Sequence, residues 1–225
     1  MAIRRVCAVV VNWNGGEDNL ECLASLERQG ELRDSSVFVD NASTDGSLEA
    51  VRERWPDVEI VANAENRGYG GGNNQGLAWA IAQGVDAALV VNNDVVLPDG
   101  QLAVLAAALD RDPDVGVVGP RVLDRDDPSR VWAAGGRLTW RQNLTTLRGH
   151  GRADGPRWRE TVRVDYVVGC FLLVRREVLE RVGMFDADYF AYTEDVDFGL
   201  RVGRAGFRAL CVGEARALHR ASSST

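Results

Sequence analysis

Four short apolar runs, each followed by a turn and a helical pattern, constrain the fold of this chain most strongly. Continuous apolar runs of this kind are typical of strands covered on both faces of a parallel sheet. The runs cover residues 6–11, 37–39, 58–62 and 87–91, and the helices predicted after them cover 19–29, 48–55, 77–83 and 101–109. This alternation with short connections predicts an α/β fold, in which helices cover both faces of a mostly parallel sheet.

The second half has a different pattern. After a predicted strand at residues 115–118, residues 124–160 are rich in Arg, Asp, Gly and Trp and have little helical period. That composition indicates loops and short antiparallel strands. Residues 164–174 form another apolar run, and helices are predicted over 176–182 and 193–202. We therefore expect a small antiparallel part in the second half.

Polar residues stand after each of the first four predicted strands: Asn12, Asp40, Asn66 and Asp94. In open parallel sheets, ligands bind in the crevice beyond the carboxyl ends of the strands. The sequence thus predicts a single ligand-binding edge that is lined by amide and carboxylate groups.

Charge and composition exclude several classes of protein. The net charge of -7 argues against nucleic acid as a partner, because binding to phosphates needs clustered cations. The chain contains no lysine, which excludes a P-loop phosphate site and a cofactor held as a Schiff base. Its four cysteines form no C-x-x-C pair, and no segment resembles a signal peptide or a membrane span. We expect a cytoplasmic protein that can associate peripherally with the inner face of the membrane.

Carboxylates are the main chemical signal: Asp40, Asp94 and the cluster that contains Glu194, Asp195 and Asp197. Several negative charges in one cleft need a cation or a proton to offset them, and a divalent metal is the natural cation if the ligand carries a diphosphate. Two structural alternatives stay open. Acidic residues in the first turn of a helix complement its dipole, and Asp40 can simply begin a turn.

The glycine-rich segment at residues 68–72 also has two interpretations. It can be a flexible connector, or its glycines can let backbone N–H groups approach a phosphate. The segment is not a G-x-G-x-x-G motif and follows the third strand, so it gives poor support for a dinucleotide fold.

Six motifs occur in a fixed order along the chain. They are VVVNWNG at 9–15, VDNASTDGS at 39–47, NRGYGGGNNQG at 66–76, VNND at 91–94, VGCFLLVRREVLERVGMFD at 168–186 and YFAYTEDVDFGLR at 189–201. Together they resemble the family 2 glycosyltransferases, particularly the bacterial branch that includes rhamnosyltransferases. The resemblance runs from about residue 6 to residue 219.

The resemblance implies a GT-A fold with a Rossmann-like sheet. It also implies inverting transfer of a sugar from a nucleoside-diphosphate sugar, with dTDP-rhamnose as the leading donor. The acceptor would be a hydroxyl of a glycan, a lipid-linked glycan or a small molecule, and Mn²⁺ or Mg²⁺ would sit on the donor diphosphate. We expect one domain over residues 1–225, with a nucleotide-sugar-binding half at 1–120 and an acceptor-binding and catalytic half at 121–225.

The resemblance also assigns roles to residues. Asp195 matches the catalytic base, and Glu194 would orient the acceptor or substitute as the base. Asp94 matches the last acid of the family's D-x-D motif and His219 its late histidine, so both would bind the metal. The first acid of that motif is here Asn92, which implies a weaker hold on the metal. The residues expected to bind the donor are Asn12, Asn14, Asp40, Asn66, Arg67, Asn74, Asn92 and Asn93.

Three tryptophans in the irregular segment, Trp132, Trp140 and Trp158, are candidates for contact with the acceptor, since aromatic faces stack on sugar rings. The alternative is that they pack over the sheet. Three other functions stay open at this point: a nucleotidyltransferase on a related sheet, a carbohydrate-binding module, and a domain that binds a sugar nucleotide without transferring the sugar.

Overall fold

The computed structural model describes residues 3–30, 35–139 and 145–220. Its helices are α1 (Asp18–Glu27), α2 (Ser47–Arg54), α3 (Gly68–Ala82), α4 (Gln101–Asp110), α5 (Arg176–Val182) and α6 (Glu194–Arg204), and a 3-10 helix covers Pro156–Trp158. Its strands are β1 (Val6–Asn12), β2 (Ser36–Asp40), β3 (Glu59–Ala62), β4 (Ala87–Asn92), β5 (Val95–Val96), β6 (Val115–Asp124), β7 (Val131–Ala133), β8 (Gly136–Leu138), β9 (Thr145–Leu147), β10 (Val162–Val164), β11 (Phe171–Arg175) and β12 (Arg208–His219).

One large sheet contains strands from both halves of the chain, in the order β10-β12-β6-β11-β4-β1-β2-β3. The pairs of β1 with β2, β1 with β4, β2 with β3 and β6 with β12 are parallel. Strand β11 runs antiparallel between β4 and β6, and β8 and β9 form a separate antiparallel sheet. The predicted α/β architecture with a small antiparallel part is confirmed.

The alternation of apolar residues along β1 explains why both faces of the sheet are covered. Val10 and its neighbours on one face pack in a cluster with Leu26 of α1 and Leu105 of α4. Val9 packs on the other face with Leu77 of α3 and with residues of α5 and α6. Burying both faces of a central strand in this way is the main favourable contribution to folding.

The glycine-rich segment belongs to a helix, so its interpretation as a flexible connector was wrong, whereas an approach of its backbone N–H groups to a phosphate stays a prediction. Helix α3 begins at Gly68, not near residue 77. A side chain on Gly76 would collide with Val9 of β1, and a Cβ on Gly72 would lie 3.0 Å from Val11. The glycines therefore let the helix lie directly on the sheet, and this packing outweighs the low helix propensity of glycine.

The end of the chain also departs from the prediction. The apolar residues before His219 belong to β12, the longest strand, which pairs with β6 and β10 and with the two-residue strand β5. The apolar run at 164–174 is divided into the end of β10, a turn through Gly169, and β11. Pairing between distant segments determined these elements, so local periodicity could not reveal them.

Candidate active site

The side chain of Asn12 is the centre of a hydrogen-bond network at the carboxyl edge of the sheet. It is fully buried and takes part in six hydrogen-bond contacts. The partners are Asp40, Ser43, Ser47, Gly15, Asn19 and Asn93. Every polar atom of this amide is thus occupied within the protein. These bonds position the residues around Asn12, and its contact with the donor stays a prediction.

Asp40 lies beside Asn12 because β1 and β2 are parallel and in register at these two residues. The Oδ1 atom of Asp40 accepts a hydrogen bond from Asn12 at 2.8 Å, and Oδ2 accepts one from the backbone N–H of Ser43 at 3.0 Å. The loops after the two strands are tied together as well, since Asn14 Oδ1 accepts from the N–H of Thr44 at 2.8 Å. The carboxylate of Asp40 is 2% exposed and is held in one orientation.

Four residues other than glycine adopt positive φ angles in the described part of the chain: Asn14, Ala42, Tyr192 and Thr193. The first two lie in the loops that flank Asp40, and the other two immediately precede α6. Such conformations are unfavourable for residues with a Cβ and concentrate at functional sites. Backbone strain therefore marks the same edge of the sheet as the polar residues.

The pairing of β5 with β12 brings Asp94 and His219 together. His219 is in register with Val95, the residue after Asp94. Its Nε2 atom lies 3.2 Å from Oδ1 of Asp94, and the two side chains are buried. Neither imidazole nitrogen makes a hydrogen bond to a described residue. The ring of Trp132 packs edge-on against His219, with the ring centroids 4.4 Å apart.

Asn92 and Asn93 connect this pair to the rest of the edge. The backbone N–H of Asn92 donates to the carbonyl of Cys170 at 2.9 Å, and the buried side-chain Oδ1 of Asn92 has no partner among the described residues. Asn93 donates to Asn12 at 3.2 Å. Asn92 thus offers an uncommitted amide oxygen near Asp94, where the family motif has its first acid.

The residues predicted around α3 have separate roles. Asn66 accepts a hydrogen bond from the backbone N–H of Gly68 at 2.8 Å and so caps the helix. Asn74 binds the backbone of Phe185 through both polar atoms of its amide, at 2.8 and 3.0 Å. This amide fastens the segment before α6 onto α3, and its contact with the donor stays a prediction. Arg67 is exposed and lines an open groove of about 500 Å³ on α3, together with Asn74.

Asp195 is held at the start of α6 by two backbone amides. Its Oδ2 accepts a hydrogen bond from the N–H of Gly169, and its Oδ1 accepts one from the N–H of Val196, both at 2.8 Å. The carbonyl of Gly169 in turn accepts a hydrogen bond from the Tyr69 hydroxyl at 2.6 Å. Burial nevertheless raises the pKa of Asp195. A carboxylate with a raised pKa is better suited to accept a proton.

Glu194 has a different environment from Asp195. It is 5% exposed, and its Oε2 atom has no hydrogen-bond partner among the described residues. Burial raises the pKa of Glu194 from 4.5 to about 7, and the negative charge of Asp195 adds to this effect. A buried, incompletely bonded carboxyl group is rare unless it has a function. A dipole-complementing role alone does not account for this burial.

Cys170 lies between the two groups of acids. Burial raises the pKa of its thiol well above the usual range, and the negative charges of Asp94 and then Asp195 raise it further. The hydrogen bonds from Asn92 to the Cys170 carbonyl and from Gly169 to Asp195 bring the Asp94–His219 pair and Asp195 to the same region, and we call the space between them the candidate cleft. Sequence reasoning missed Cys170 and also Tyr69 and Gly169, although all three stand within the quoted motifs.

The three tryptophans differ in position. Trp132 borders the cleft through its contact with His219. Trp158 is 5% exposed, donates to the carbonyl of Ala153 at 3.1 Å and packs between two arginines, so the packing alternative is correct for it and its predicted acceptor contact is withdrawn. Trp140 lies outside the described residues.

Comparison with known proteins agrees with this geometry. Residues 7–183 match the family model "Glycosyl transferase family 2", and the chain belongs to this family. The prediction of a glycosyltransferase is confirmed. Family membership favours it over a domain that binds a sugar nucleotide without transferring the sugar. The chain is 34% identical over 241 residues to the N-acetylglucosaminyl-diphospho-decaprenol L-rhamnosyltransferase of Mycobacterium tuberculosis, covering 96% of this chain and 76% of that protein.

Solved structures confirm the GT-A fold. GalNAc-T7, crystallised with UDP, GalNAc and Mn²⁺, superposes with a TM-score of 0.75 at 16% identity. The mannosyltransferase PcManGT from Pyrobaculum calidifontis, in complex with GDP-Man and Mn²⁺, gives a TM-score of 0.68 at 24% identity. These alignments cover 96% and 97% of this chain, but only 44% and 57% of the two solved chains. Within the described ranges, no helix combines the length and hydropathy needed to span a bilayer.

Proposed function

We propose that the protein transfers a sugar, with inversion at the anomeric carbon, from a nucleoside-diphosphate sugar to an acceptor hydroxyl. The observation that carries this proposal is that the backbone contacts of Gly169 and Cys170 bring Asp195 near the buried Asp94–His219 pair. One side offers a proton acceptor and the other offers ligands for a cation. The edge of β1 and β2, with Asp40, would bind the nucleotide.

The side chains that could coordinate a divalent metal ion form only part of a metal site. Asp94 and His219 supply one carboxylate and one imidazole, and the nitrogens of His219 make no hydrogen bond to a described residue. Among the described residues, no group of three or more His, Cys, Asp or Glu side chains could hold a metal ion. The diphosphate would therefore have to complete the coordination. Because Mg²⁺ prefers oxygen ligands and Mn²⁺ accepts imidazole, this pair favours Mn²⁺.

In the proposed reaction, a carboxylate oxygen of Asp195 accepts the proton of the acceptor hydroxyl while the hydroxyl oxygen attacks the anomeric carbon. The bond from that carbon to the diphosphate breaks, and the nucleoside diphosphate leaves. The amides of Gly169 and Val196 keep the carboxylate in one position, as a general base requires. A bound divalent ion would offset the negative charge that develops on the diphosphate.

Glu194 would assist as a neutral or partly ionised acid. With a pKa of about 7, it can donate a hydrogen bond to a sugar oxygen or accept one from a hydroxyl. Its unpartnered Oε2 would gain a partner when substrate binds. We assign it to orientation of the acceptor, while Asp195 acts as the base.

The identity of the substrates follows the relatives and is part of the proposal. The name of the mycobacterial relative describes transfer of L-rhamnose to a lipid-linked N-acetylglucosaminyl diphosphate. By analogy, dTDP-rhamnose is the proposed donor and a lipid-linked glycan the proposed acceptor, with the reaction at the inner face of the membrane. Donor contacts would come from Asn14, Asp40, Asn66, Arg67 and the Asn92–Asn93 pair.

The proposal is tested by calorimetric titration of nucleoside diphosphate in the presence and absence of Mn²⁺. Asp94→Asn and His219→Ala should weaken the metal-dependent binding, and excess Mn²⁺ should partly restore it. Asp195→Asn is the control, because it lies on the other side of Cys170 and should bind normally. Full transfer activity in a chelator, with both Asp94 and His219 replaced, would exclude the metal mechanism.

A further inference from the structure

Charge is distributed unevenly along this chain. Residues 130–163 contain eight arginines, one aspartate and one glutamate, which gives this segment a net charge of +6 in a protein whose net charge is -7. We call residues 130–139 and 145–164 the basic lobe. It contains β7 to β10 and the 3-10 helix, and β10 is the edge strand of the large sheet.

Most of these positive charges have no acidic partner among the described residues. The exposed arginines of the basic lobe that form no salt bridge to a described residue are Arg137, Arg152, Arg157, Arg159 and Arg163. Arg130, by contrast, pairs with Asp127 at 3.1 Å. Like charges that are gathered on one surface repel each other, and an external anion relieves that repulsion.

The basic lobe is a fixed surface. Trp158 is buried between the guanidinium groups of Arg148 and Arg157, at 5.0 and 4.4 Å from its ring centre. Beneath the lobe, the buried Arg121 of β6 lies 3.3 Å from Asp154. Burial lowers the pKa of Arg121, and the positive charges of Arg159 and Arg216 contribute to the decrease. Arg148 and Arg157 therefore meet at one ring, and Arg159 lies near Arg121, which ties this part of the lobe to the sheet.

The basic lobe borders the proposed active site on two sides. Trp132, in β7, packs against His219. Gly136, in β8, lies against the ring of Tyr166, whose pKa is raised by burial and then by the charge of Asp195. A partner on the lobe would therefore be close to the place where the acceptor must enter.

We propose that the basic lobe docks the enzyme on a membrane that contains anionic lipids. A membrane plane contacts one face of a protein, and the residues outside 130–163 carry a net charge of -13, opposite in sign to that of this segment. A long nucleic acid would extend past the lobe onto acidic surface and be repelled. Docking by the lobe would place the active site beside a lipid-linked acceptor. This benefit rests on the proposed function, whereas the binding of the lobe to anionic lipid does not.

The test is sedimentation of the native protein with vesicles of phosphatidylglycerol and phosphatidylcholine, compared with vesicles of phosphatidylcholine alone. Binding should need the anionic lipid and weaken steeply with salt. Replacing Arg137, Arg152, Arg159 and Arg163 together by Gln should lower the partition coefficient by a factor on the order of 10². Replacing the same four by Lys keeps the charge and should retain binding.

The matched control removes the same charge elsewhere, by changing Arg4, Arg52, Arg111 and Arg204 to Gln. These four are also exposed and form no salt bridge to a described residue. Equal loss in both Gln variants, or equal binding to neutral vesicles, would overturn the proposal. So would tight binding to an RNA oligonucleotide without binding to vesicles. The vesicle experiment contains no sugar donor or acceptor. A negative result would therefore overturn the docking proposal only, and the proposed function would still be tested by calorimetry.

Discussion

The two sides of the cleft satisfy their polar groups in opposite ways. On the nucleotide side, Asn12 alone makes six hydrogen-bond contacts, and both oxygens of Asp40 accept hydrogen bonds. On the acceptor side, Glu194 keeps an unpartnered oxygen, and two residues with positive φ angles, Tyr192 and Thr193, precede it. Most polar groups of the Asn12 network have partners inside the protein, although Oδ1 of Asn19 has none among the described residues, whereas Glu194 keeps an oxygen that a ligand can satisfy.

This difference has a physical consequence for catalysis. Saturated networks hold their members rigidly, which suits a surface that must bind the same nucleotide in one orientation. Buried carboxyl groups with raised pKa values are unfavourable for stability but useful as acids and bases. Substitutions on the nucleotide side should therefore reduce stability, whereas substitutions on the acceptor side should reduce turnover.

The largest expected effect is on the acceptor side. Asp195→Asn keeps the shape of the side chain but cannot accept a proton, so kcat should fall by a factor on the order of 10² or more. Donor affinity should not decrease. Steady-state kinetics with saturating donor, together with calorimetry, measures both quantities.

Asp197→Asn is the control for this substitution. Asp197 is in the same helical turn but forms an ion pair with Arg201 at 2.7 Å, so its loss should leave kcat unchanged. If Asp195→Asn retains near-normal turnover while Glu194→Gln is inactive, the base is Glu194 and our assignment is wrong by one residue.

The next effect is on the nucleotide side. Asn12→Ala removes every contact of the central amide and leaves Oδ1 of the buried Asp40 without the Asn12 donor, so the free energy of unfolding should decrease by about 3 kcal/mol or more. Denaturant unfolding measures this change. Asn74→Ala is the matched control, because the Asn74 side chain makes two hydrogen bonds. It should lower the free energy of unfolding by about 1 kcal/mol. Equal costs for the two variants would contradict a central role for Asn12.

The sequence predicted the scaffold well because β-α repeats are local patterns. The first four strands and the polar residues at their ends follow from apolar runs and turns alone. It failed at α3, because the reason that a helix begins at Gly68 lies in the close approach of Gly72 and Gly76 to β1. No property of the glycine segment by itself shows that contact.

The candidate site was predictable in its residues but not in their roles. Motif resemblance identified Asp94, Asp195 and His219, yet only the pairing of β5 with β12 shows how Asp94 and His219 meet. The same resemblance assigned Asn12 and Asn74 to the donor, although their hydrogen bonds are made inside the protein. An amide at a strand end has the same appearance in sequence whether it faces a ligand or another loop.

A third prediction uses the unsatisfied carboxyl group of Glu194. Its pKa of about 7 means that, between pH 4.5 and 7, the folded protein holds a proton that the unfolded chain has released. The free energy of unfolding therefore falls as pH rises through that range. Glu194→Gln cannot ionise, so its free energy of unfolding should not show this decrease. Relative to the native protein, the variant should have no added stability near pH 4.5, and its free energy of unfolding should be higher by on the order of 3 kcal/mol or less at pH 8.

Denaturant unfolding at the two pH values tests this prediction. Glu177→Gln is the control, since Glu177 lies on the exposed side of α5 in a pair with Arg181 and should show no gain that depends on pH. If the free energy of unfolding depends on pH in the same way for the native protein and for Glu194→Gln, then Glu194 ionises normally and its burial does not destabilise the folded protein.

The smallest expected effect concerns Tyr69, which links the two sides through Gly169. The Tyr69 hydroxyl donates to the carbonyl of Gly169 and so holds this residue in place, and the N–H of the same residue donates to Asp195. Loss of the hydroxyl should loosen Gly169 and weaken its hydrogen bond to Asp195. Tyr69→Phe should therefore raise the pKa of Asp195 by less than one unit. Because Asp195 must be ionised to act as a base, the acid limb of the kcat/KM profile should move to higher pH. Activity should fall less than tenfold at pH 6 and little at pH 8. A merely structural role would lower the melting temperature and reduce activity equally at all pH values, leaving the limb in place.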